Sequence, residues 1–424
     1  MTFGDAAAFF AAMNTTNDPA AASKPAAAAS PAGTGLPLDG VRILDLTTIV
    51  YGPYATQLLG DFGAEIVKVE APGGDAMRQM GPERSPRMAA LFLGMNRNKK
   101  SIVLDLKRAA AREALWRLVD SADVFVHNIR PHKILKLGFD PDRVMARNTG
   151  IVYAGLYGYR DGGPYAGRPA YDDVIQGQAG LAGTFLARDG APNLIPTIAA
   201  DKISGLLASN GILAALLQRR NTGRGVYVET AMFEGIAGFT LAEHQYGAIF
   251  SPPMTPPGYP RVLSPHRRPQ PTADGFICLL AYTDAQWERF WALVGRPEMT
   301  DDPRFRTIGD RLNHVDALYG ESGRELVGRT SAEWLDLMRG AEIPCGPVNT
   351  LDDLYGDPHL AATGFFRPFE HPTEGAMDIP DTAFRFDRAA LPVRLGQPQL
   401  GEHTEALLAE AGFDAAEITE ITGG

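Results

Sequence analysis

Apolar and polar positions along this chain fall into blocks that switch between a strand period of two and a helix period near 3.6. Val41-Arg42-Ile43-Leu44-Asp45-Leu46 reads as a strand, a helical stretch follows Pro53, and Glu65-Ile66-Val67-Lys68-Val69-Glu70 reads as the next strand. Segments 101–106, 124–126 and 151–154 continue the series, with helix-length pieces such as 109–119 between them. Helical stretches at 172–185 and 201–219 lead through the turn Asn221-Thr222-Gly223-Arg224-Gly225 to a further strand at 226–229. The pattern predicts an α/β fold with an open, mostly parallel Rossmann-like sheet, whose ligands are expected beyond the carboxyl ends of the strands.

The period breaks at 251–271, where eight prolines mark a linker. A strand at 275–280 and helices at 284–295 and 313–327 predict a smaller α+β domain. The expected plan is a lead-in over 1–35, a large domain with the first linker over 36–250, and a small domain over 251–335. A second linker around Ile343-Pro344-Cys345-Gly346-Pro347 then opens the last part, 336–424, whose final helix at 402–411 is expected to return to the large domain. Within the lead-in, 6–13 suits a short helix, and 17–35, built from Ala, Pro, Ser, Gly, Asn, Thr and Lys with little to bury, suits a mobile segment. No internal repeat is visible.

Composition narrows the function classes. With 424 residues, 45% apolar and 21% charged, the chain can bury a sizeable core. A formal charge of −10 argues against a general nucleic-acid binder, so a polyanionic ligand needs a local basic pocket. Cys278 and Cys345 are too few for a disulfide framework and sit among Ile and Pro like buried thiols, which suits a reducing cytoplasm. No apolar run approaches the roughly 20 residues of a membrane span, and no secretion signal is legible, so the expectation is a cytoplasmic protein without membrane contact.

The first loop, Thr47-Thr48-Ile49-Val50-Tyr51-Gly52-Pro53, has one glycine where a dinucleotide fingerprint needs three. Basic residues gather in Asn96-Arg97-Asn98-Lys99-Lys100 and around Asn128, Arg130, Lys133 and Lys136, where they either meet phosphates or form a solvated face. Asp172, Asp173 and Asp201 stand at helix starts, where a carboxylate serves as a cap. His127, His132 and His266 read as surface or phosphate-contacting groups, and no metal-ligand spacing, nucleophile elbow or P-loop is present.

The order of short motifs adds what single residues do not. Pro37-Leu38-Asp39-Gly40-Val41-Arg42-Ile43-Leu44-Asp45-Leu46, Leu59-Gly60-Asp61-Phe62-Gly63-Ala64-Glu65, Pro72-Gly73-Gly74-Asp75, Asn98-Lys99-Lys100-Ser101, Leu137-Gly138-Phe139, Tyr171-Asp172, Ala200-Asp201-Lys202, Thr222-Gly223-Arg224-Gly225 and Ile343-Pro344-Cys345-Gly346-Pro347-Val348 follow one another along nearly the whole chain. The chain thereby resembles the class III coenzyme A transferases. That resemblance implies an acyl-CoA:carboxylate transferase with Asp201 as nucleophile and no permanently bound cofactor, the CoA thioester being a substrate. It places CoA contacts on Val50, Tyr51, Leu104, Lys107, Asn128, Ile129, Arg130, Lys136, Pro169, Ala170, Tyr171 and Asp172. It also implies an acyl-CoA donor and a carboxylic acid acceptor as partners, and an interlocked homodimer.

The similar α-methylacyl-CoA racemases carry a His where Tyr171 stands, and a phenol with a pKa near ~10 is a poor proton-transfer group at neutral pH. A CoA-binding dimer without turnover is the third alternative. In place of the glycine-rich run of formyl-CoA transferase the chain has Ser264-Pro265-His266-Arg267-Arg268-Pro269, and Arg267 or Arg268 is a candidate contact for the acceptor carboxylate.

Overall fold

Six strands form one sheet: β1 (Arg42–Leu46), β2 (Glu65–Glu70), β3 (Lys99–Val103), β4 (Val124–His127), β5 (Val152–Tyr157) and β6 (Tyr227–Ala231). Their order is β3-β2-β1-β4-β5-β6 and every pairing is parallel, with Leu44 facing Val67 on one side and Phe125 on the other. This is the doubly wound order, in which the direction of winding reverses between β1 and β4 and opens a crevice at their carboxyl ends. The computed structural model describes residues 35–423; the expected helix over 6–13, and the lead-in apart from Gly35, lie outside them.

Helices follow from the 3.6-residue pattern and cover the sheet. They include α1 (Tyr51–Asp61), α2 (Ala109–Asp120), α3 (Pro131–Leu137), α4 (Asp172–Gln178), α5 (Ala199–Thr222) and α6 (Met232–His244). Further on come α7 (Asp284–Leu293), α8 (Val315–Glu325), α9 (Ser331–Gly340), α10 (Thr404–Glu410) and α11 (Ala415–Thr422). Leu115 and Leu118 of α2 pack with Leu407 and Leu408 of α10 and Ile421 of α11 around Leu44, Val67, Ile102 and Phe125. Each such leucine contributes about 1.5–3 kcal/mol by leaving water. The C-terminal return therefore uses two helices, where the sequence pattern suggested one.

Near the crevice, α1 is buried along almost its whole length and α5 crosses it. The crossing is close because residue 205 is glycine: a side chain there would begin 3.0 Å from the Tyr51 carbonyl oxygen. Contrary to the sequence expectation, α5, with 24 residues, is long and apolar enough to span a bilayer by length and composition. Here Ala200, Ser204, Ala208 and Ile212 lie buried along one of its faces.

Two sequence expectations need correction. Strand β3 begins at Lys99, earlier than expected, and ends at Val103, because Lys99 is wholly buried and belongs to the sheet. Cys278 is exposed and Cys345 partly so, since β8 (Phe276–Leu279) turns Ile277 inward and Cys278 outward. That strand lies between β7 (Gln270–Pro271) and β9 (Cys345–Pro347) in an antiparallel sheet. Ile277, Trp287, Phe290 and Trp291 of α7, and Trp334 and Met338 of α9 make a second hydrophobic cluster. Capping boxes at Thr283 and Thr330 start α7 and α9.

Candidate active site

A cleft of about 610 Å³ opens at the carboxyl ends of β1, β2, β4 and β5, where the winding order reverses. Of the residues expected there, Leu104, Lys107, Asn128, Ile129, Arg130, Pro169, Ala170 and Tyr171 line it. Val50, Tyr51, Asp172 and Asp201 are buried and do not line it. Lys136 is exposed on α3 outside the lining, and Arg267 and Arg268 are exposed in the connector before β7, also outside it. Lys133, named with the second basic cluster, lines the wall too, while the sequence reading missed Arg168, although it neighbours Pro169.

The cleft supplies the local positive field that an acidic chain needs for a polyanion. Lys107, Arg130, Lys133 and Arg168 line it. Two of its acids, Glu70 and Asp75, are already engaged by Arg78 and Lys68. Asp105 turns one oxygen to the backbone N–H of Lys107 at 3.1 Å.

Three local devices hold the wall in place. The Asn128 side chain clamps the first loop, accepting the Thr48 N–H at 3.1 Å and donating to the Thr48 carbonyl at 2.8 Å. His127 is fully buried, which corrects its reading as a surface group. The Tyr153 hydroxyl gives its one proton to the Phe139 carbonyl at 2.8 Å, so His127 Nε2 carries a proton toward Tyr153 at 2.8 Å. Nδ1 then accepts the Ile129 N–H at 3.1 Å and fixes the loop. Burial holds this imidazole neutral, its pKa pressed down to about 3. Finally, glycine at 158 admits the 167–171 segment, since a side chain there would start 2.3 Å from the Ala170 β-carbon.

Beneath the first loop lies a dry network of charges. Lys99 donates to Asp45 at 3.2 Å, and Lys68 donates to Asp75 at 2.9 Å and to the Thr47 carbonyl at 2.8 Å. Arg78 grips Glu70 with two bonds of 2.7 and 2.8 Å. Asp45 also accepts the Thr47 N–H at 2.9 Å and the Thr56 hydroxyl at 2.6 Å. Three carboxylates thus meet three cations in the protein interior, with their remaining valences hydrogen-bonded. Burial alone would raise the Asp45 pKa, but Lys99, Lys68 and the two hydroxyls outweigh it and hold the group below its ordinary value. Lys99 is pressed down to about 8 by burial, against the pull of Asp45.

This network also answers for the basic run at 96–100. Its cations are engaged within the protein: Arg97 pairs with Asp61 at 2.7 Å and Lys99 with Asp45, both buried, while Lys100 bonds Glu65 at the half-buried edge. In the loop above, Ile49 sits at φ 72°, a left-handed conformation costly for a β-branched residue, and Asp75 accepts its N–H at 3.1 Å. The signal available in the sequence was Asp45 and Lys68, each flanked by apolar residues within its strand.

The second buried acidic group has no such partners. Asp201 occupies the first turn of α5, yet Ile198 is the N-cap and no side-chain cap bond is made there, which overturns the capping reading. Asp172 does the capping: one oxygen accepts the Asp201 N–H at 3.0 Å and the other accepts Gln176 Nε2 at 2.6 Å. Among the described residues the Asp201 carboxylate itself has no hydrogen-bond or ion-pair partner. It is 7% exposed. Burial first, then the negative charges of Asp172 and Asp173, raise its pKa to about 7. Tyr51, whose hydroxyl donates to the Thr230 carbonyl at 2.9 Å, feels burial and the Asp201 charge and stays protonated. The residue before Asp172 is Tyr171, on the cleft wall, so Asp201 is tied to that wall through Asp172.

Comparison with known proteins identifies the class. CoA-transferase family III matches residues 38–404. The chain is 34% identical to the probable fatty acyl-CoA transferase Rv3272 of Mycobacterium tuberculosis, covering 88% of this chain and 98% of that one. It is 32% identical to the succinyl-CoA:glutarate CoA-transferase of Mus musculus (91% and 89% covered). It is 30% identical to a formyl-CoA:oxalate CoA-transferase of Rhodopseudomonas palustris (91% and 96% covered). The crystal structure of Rv3272 superposes with a TM-score of 0.76 at 33% identity, covering 88% and 99% of the two chains. That of a CAIB/BAIF family protein from Brucella suis gives 0.74 at 30%, covering 89% and 99%. The chain belongs to CoA-transferase family III and is a CoA-transferase.

Proposed function

We propose that this protein moves coenzyme A from an acyl-CoA donor to a carboxylic acid through covalent intermediates on Asp201. The observation that carries this reading is the Asp201 carboxylate: buried, without partner, and raised to a pKa of about 7 beside a basic cleft. A carboxylate left uncompensated in the interior costs stability, and near neutral pH it keeps an ionised fraction with enhanced basicity for attack.

In the proposed sequence an Asp201 oxygen attacks the thioester carbonyl, the carbon–sulfur bond breaks, and a mixed anhydride and CoA thiolate result. The thiolate attacks the aspartyl carbonyl and expels the donor acid, which leaves an aspartyl-CoA thioester. The acceptor carboxylate then attacks this thioester, releasing the thiolate and forming a second anhydride. Attack of the thiolate on the acceptor's acyl carbon gives the new acyl-CoA and restores Asp201. Lys107, Arg130, Lys133 and Arg168 hold the phosphates of CoA in this reading. Asp172 fixes the backbone of the nucleophile.

The homodimer belongs to the same proposal. Leu206 and Leu217 of α5, Phe239 and Leu241 of α6, and Ile249, Phe250, Met254, Leu351 and Tyr355 are large apolar side chains exposed on this chain. Such an extent of apolar surface suits an obligate interface.

The mechanism is tested by incubating the protein with acyl-CoA donors, trapping with hydroxylamine or borohydride, and mapping the modified residue by mass spectrometry. Modification at Asp201 is expected. Modification elsewhere, or none with any donor, overturns it.

A further inference from the structure

A second cavity, of about 310 Å³, lies beside the second hydrophobic cluster and shares no lining residue with the cleft. Its walls are apolar and aromatic, with Tyr282, Trp287, Leu312, Leu318 and Tyr319 among them, and no acidic side chain lines it. Its size is at the lower end of small-molecule sites.

Arg261 lies in this wall in an unusual electrostatic state. Its Nε is buried with no hydrogen-bond partner, and among the described residues its guanidinium makes no ion pair. The charge stands over the Tyr282 ring at 5.7 Å, a contact that leaves its N–H groups unused. The other lining cation, Arg311, is already bound to Asp284 and to the Phe305 carbonyl. Arg267, outside the cavity lining and without an ion pair among the described residues, joins Arg261 in easing the Tyr319 pKa back down against the burial that raises it. The neighbouring His266 ring lies 3.6 Å from the point where a side chain on Gly320 would begin, which holds this loop against α8.

A buried guanidinium N–H with no acceptor costs free energy, and a carboxylate is the acceptor whose geometry matches it. The aromatic walls call for an apolar body attached to that carboxylate. We propose that this cavity is a binding site for a monocarboxylic acid with an apolar body about the size of one aromatic ring, its carboxylate on Arg261. The site stands apart from the CoA cleft, so it holds or fails independently of the mechanism at Asp201.

Isothermal titration of the full-length protein, saturated with CoA, tests this with phenylacetate, its neutral amide and succinate as probes. Phenylacetate is expected to saturate at one molecule per chain. The amide, which lacks the charge, and succinate, which lacks the apolar body, are expected to bind at least about tenfold more weakly. Arg261→Gln removes no hydrogen bond or ion pair among the described residues and should weaken phenylacetate by about tenfold or more while leaving CoA affinity unchanged. Leu312→Trp should abolish phenylacetate binding by filling the cavity. The proposal is overturned by absence of saturation, by equal affinity for the amide, by competition from CoA, or by unchanged affinity in Arg261→Gln.

Discussion

Two buried groups of charges are built in opposite ways. Under β1, β2 and β3, Asp45, Glu70 and Asp75 face Lys99, Arg78 and Lys68. At the start of α5, the charges that act on Asp201 are the negative ones of Asp172 and Asp173. The first group is neutral as a whole and serves as scaffolding, pinning the loop that begins at Thr47. The second leaves one carboxylate without a partner among the described residues, which is what the proposed reactive role requires.

The comparison is broken most severely at Asp201. Asp201→Asn is expected to lower transfer by about 10⁴-fold or more, because no other carboxylate stands in its place. The same change should raise stability. The folded pKa of Asp201 lies above its unfolded value, so the native state holds the proton more tightly and its stability falls as pH rises from about 4 to about 7. At pH 8 the variant should gain about 1–3 kcal/mol in urea unfolding. A loss of stability would place Asp201 with the scaffold.

Lys68→Met should do the reverse. It leaves Asp75 buried without its cation and is expected to cost about 3–5 kcal/mol, read by urea unfolding. A change below about 1 kcal/mol would mean that the network is not what supports the first loop.

Smaller effects separate the cleft from Asp201. Arg130→Ala should raise the KM for acyl-CoA by about tenfold with little change in kcat, and flatten the salt dependence of kcat/KM. A fall in kcat with KM unchanged would move Arg130 from binding to chemistry. The finest test is pH. If the ionised Asp201 is the attacking form, kcat/KM should rise with pH through about 7. Asp173→Asn, which removes one of the two nearby negative charges, should shift that midpoint down by up to about one unit.

Much of the fold was legible in the chain because strand and helix periods are local properties. The parallel strands, their positions to within a few residues, and the cleft at their carboxyl ends follow from pattern and from the winding rule. The errors cluster where a polar residue was read by its type alone. Lys99, Arg97 and His127 were assigned to loops, phosphates or surface, and each is buried on a partner distant in sequence: Asp45, Asp61 and Tyr153. The same blindness made Asp201 look like a cap, because capping is judged from neighbours along the chain, whereas the acceptor actually used belongs to Asp172.

By itself, then, the sequence determined the class of fold, the family and the candidate nucleophile, through periodicity and through motifs kept in order along the chain. Which charges are paired and which stands alone was decided only by the tertiary structure. Burial and pairing depend on where distant segments meet: α4 with α5, β1 with β3. Desolvation acts on a carboxylate according to that meeting, and it makes Asp45 a strut and Asp201 the candidate for a reactive group although both are buried aspartates.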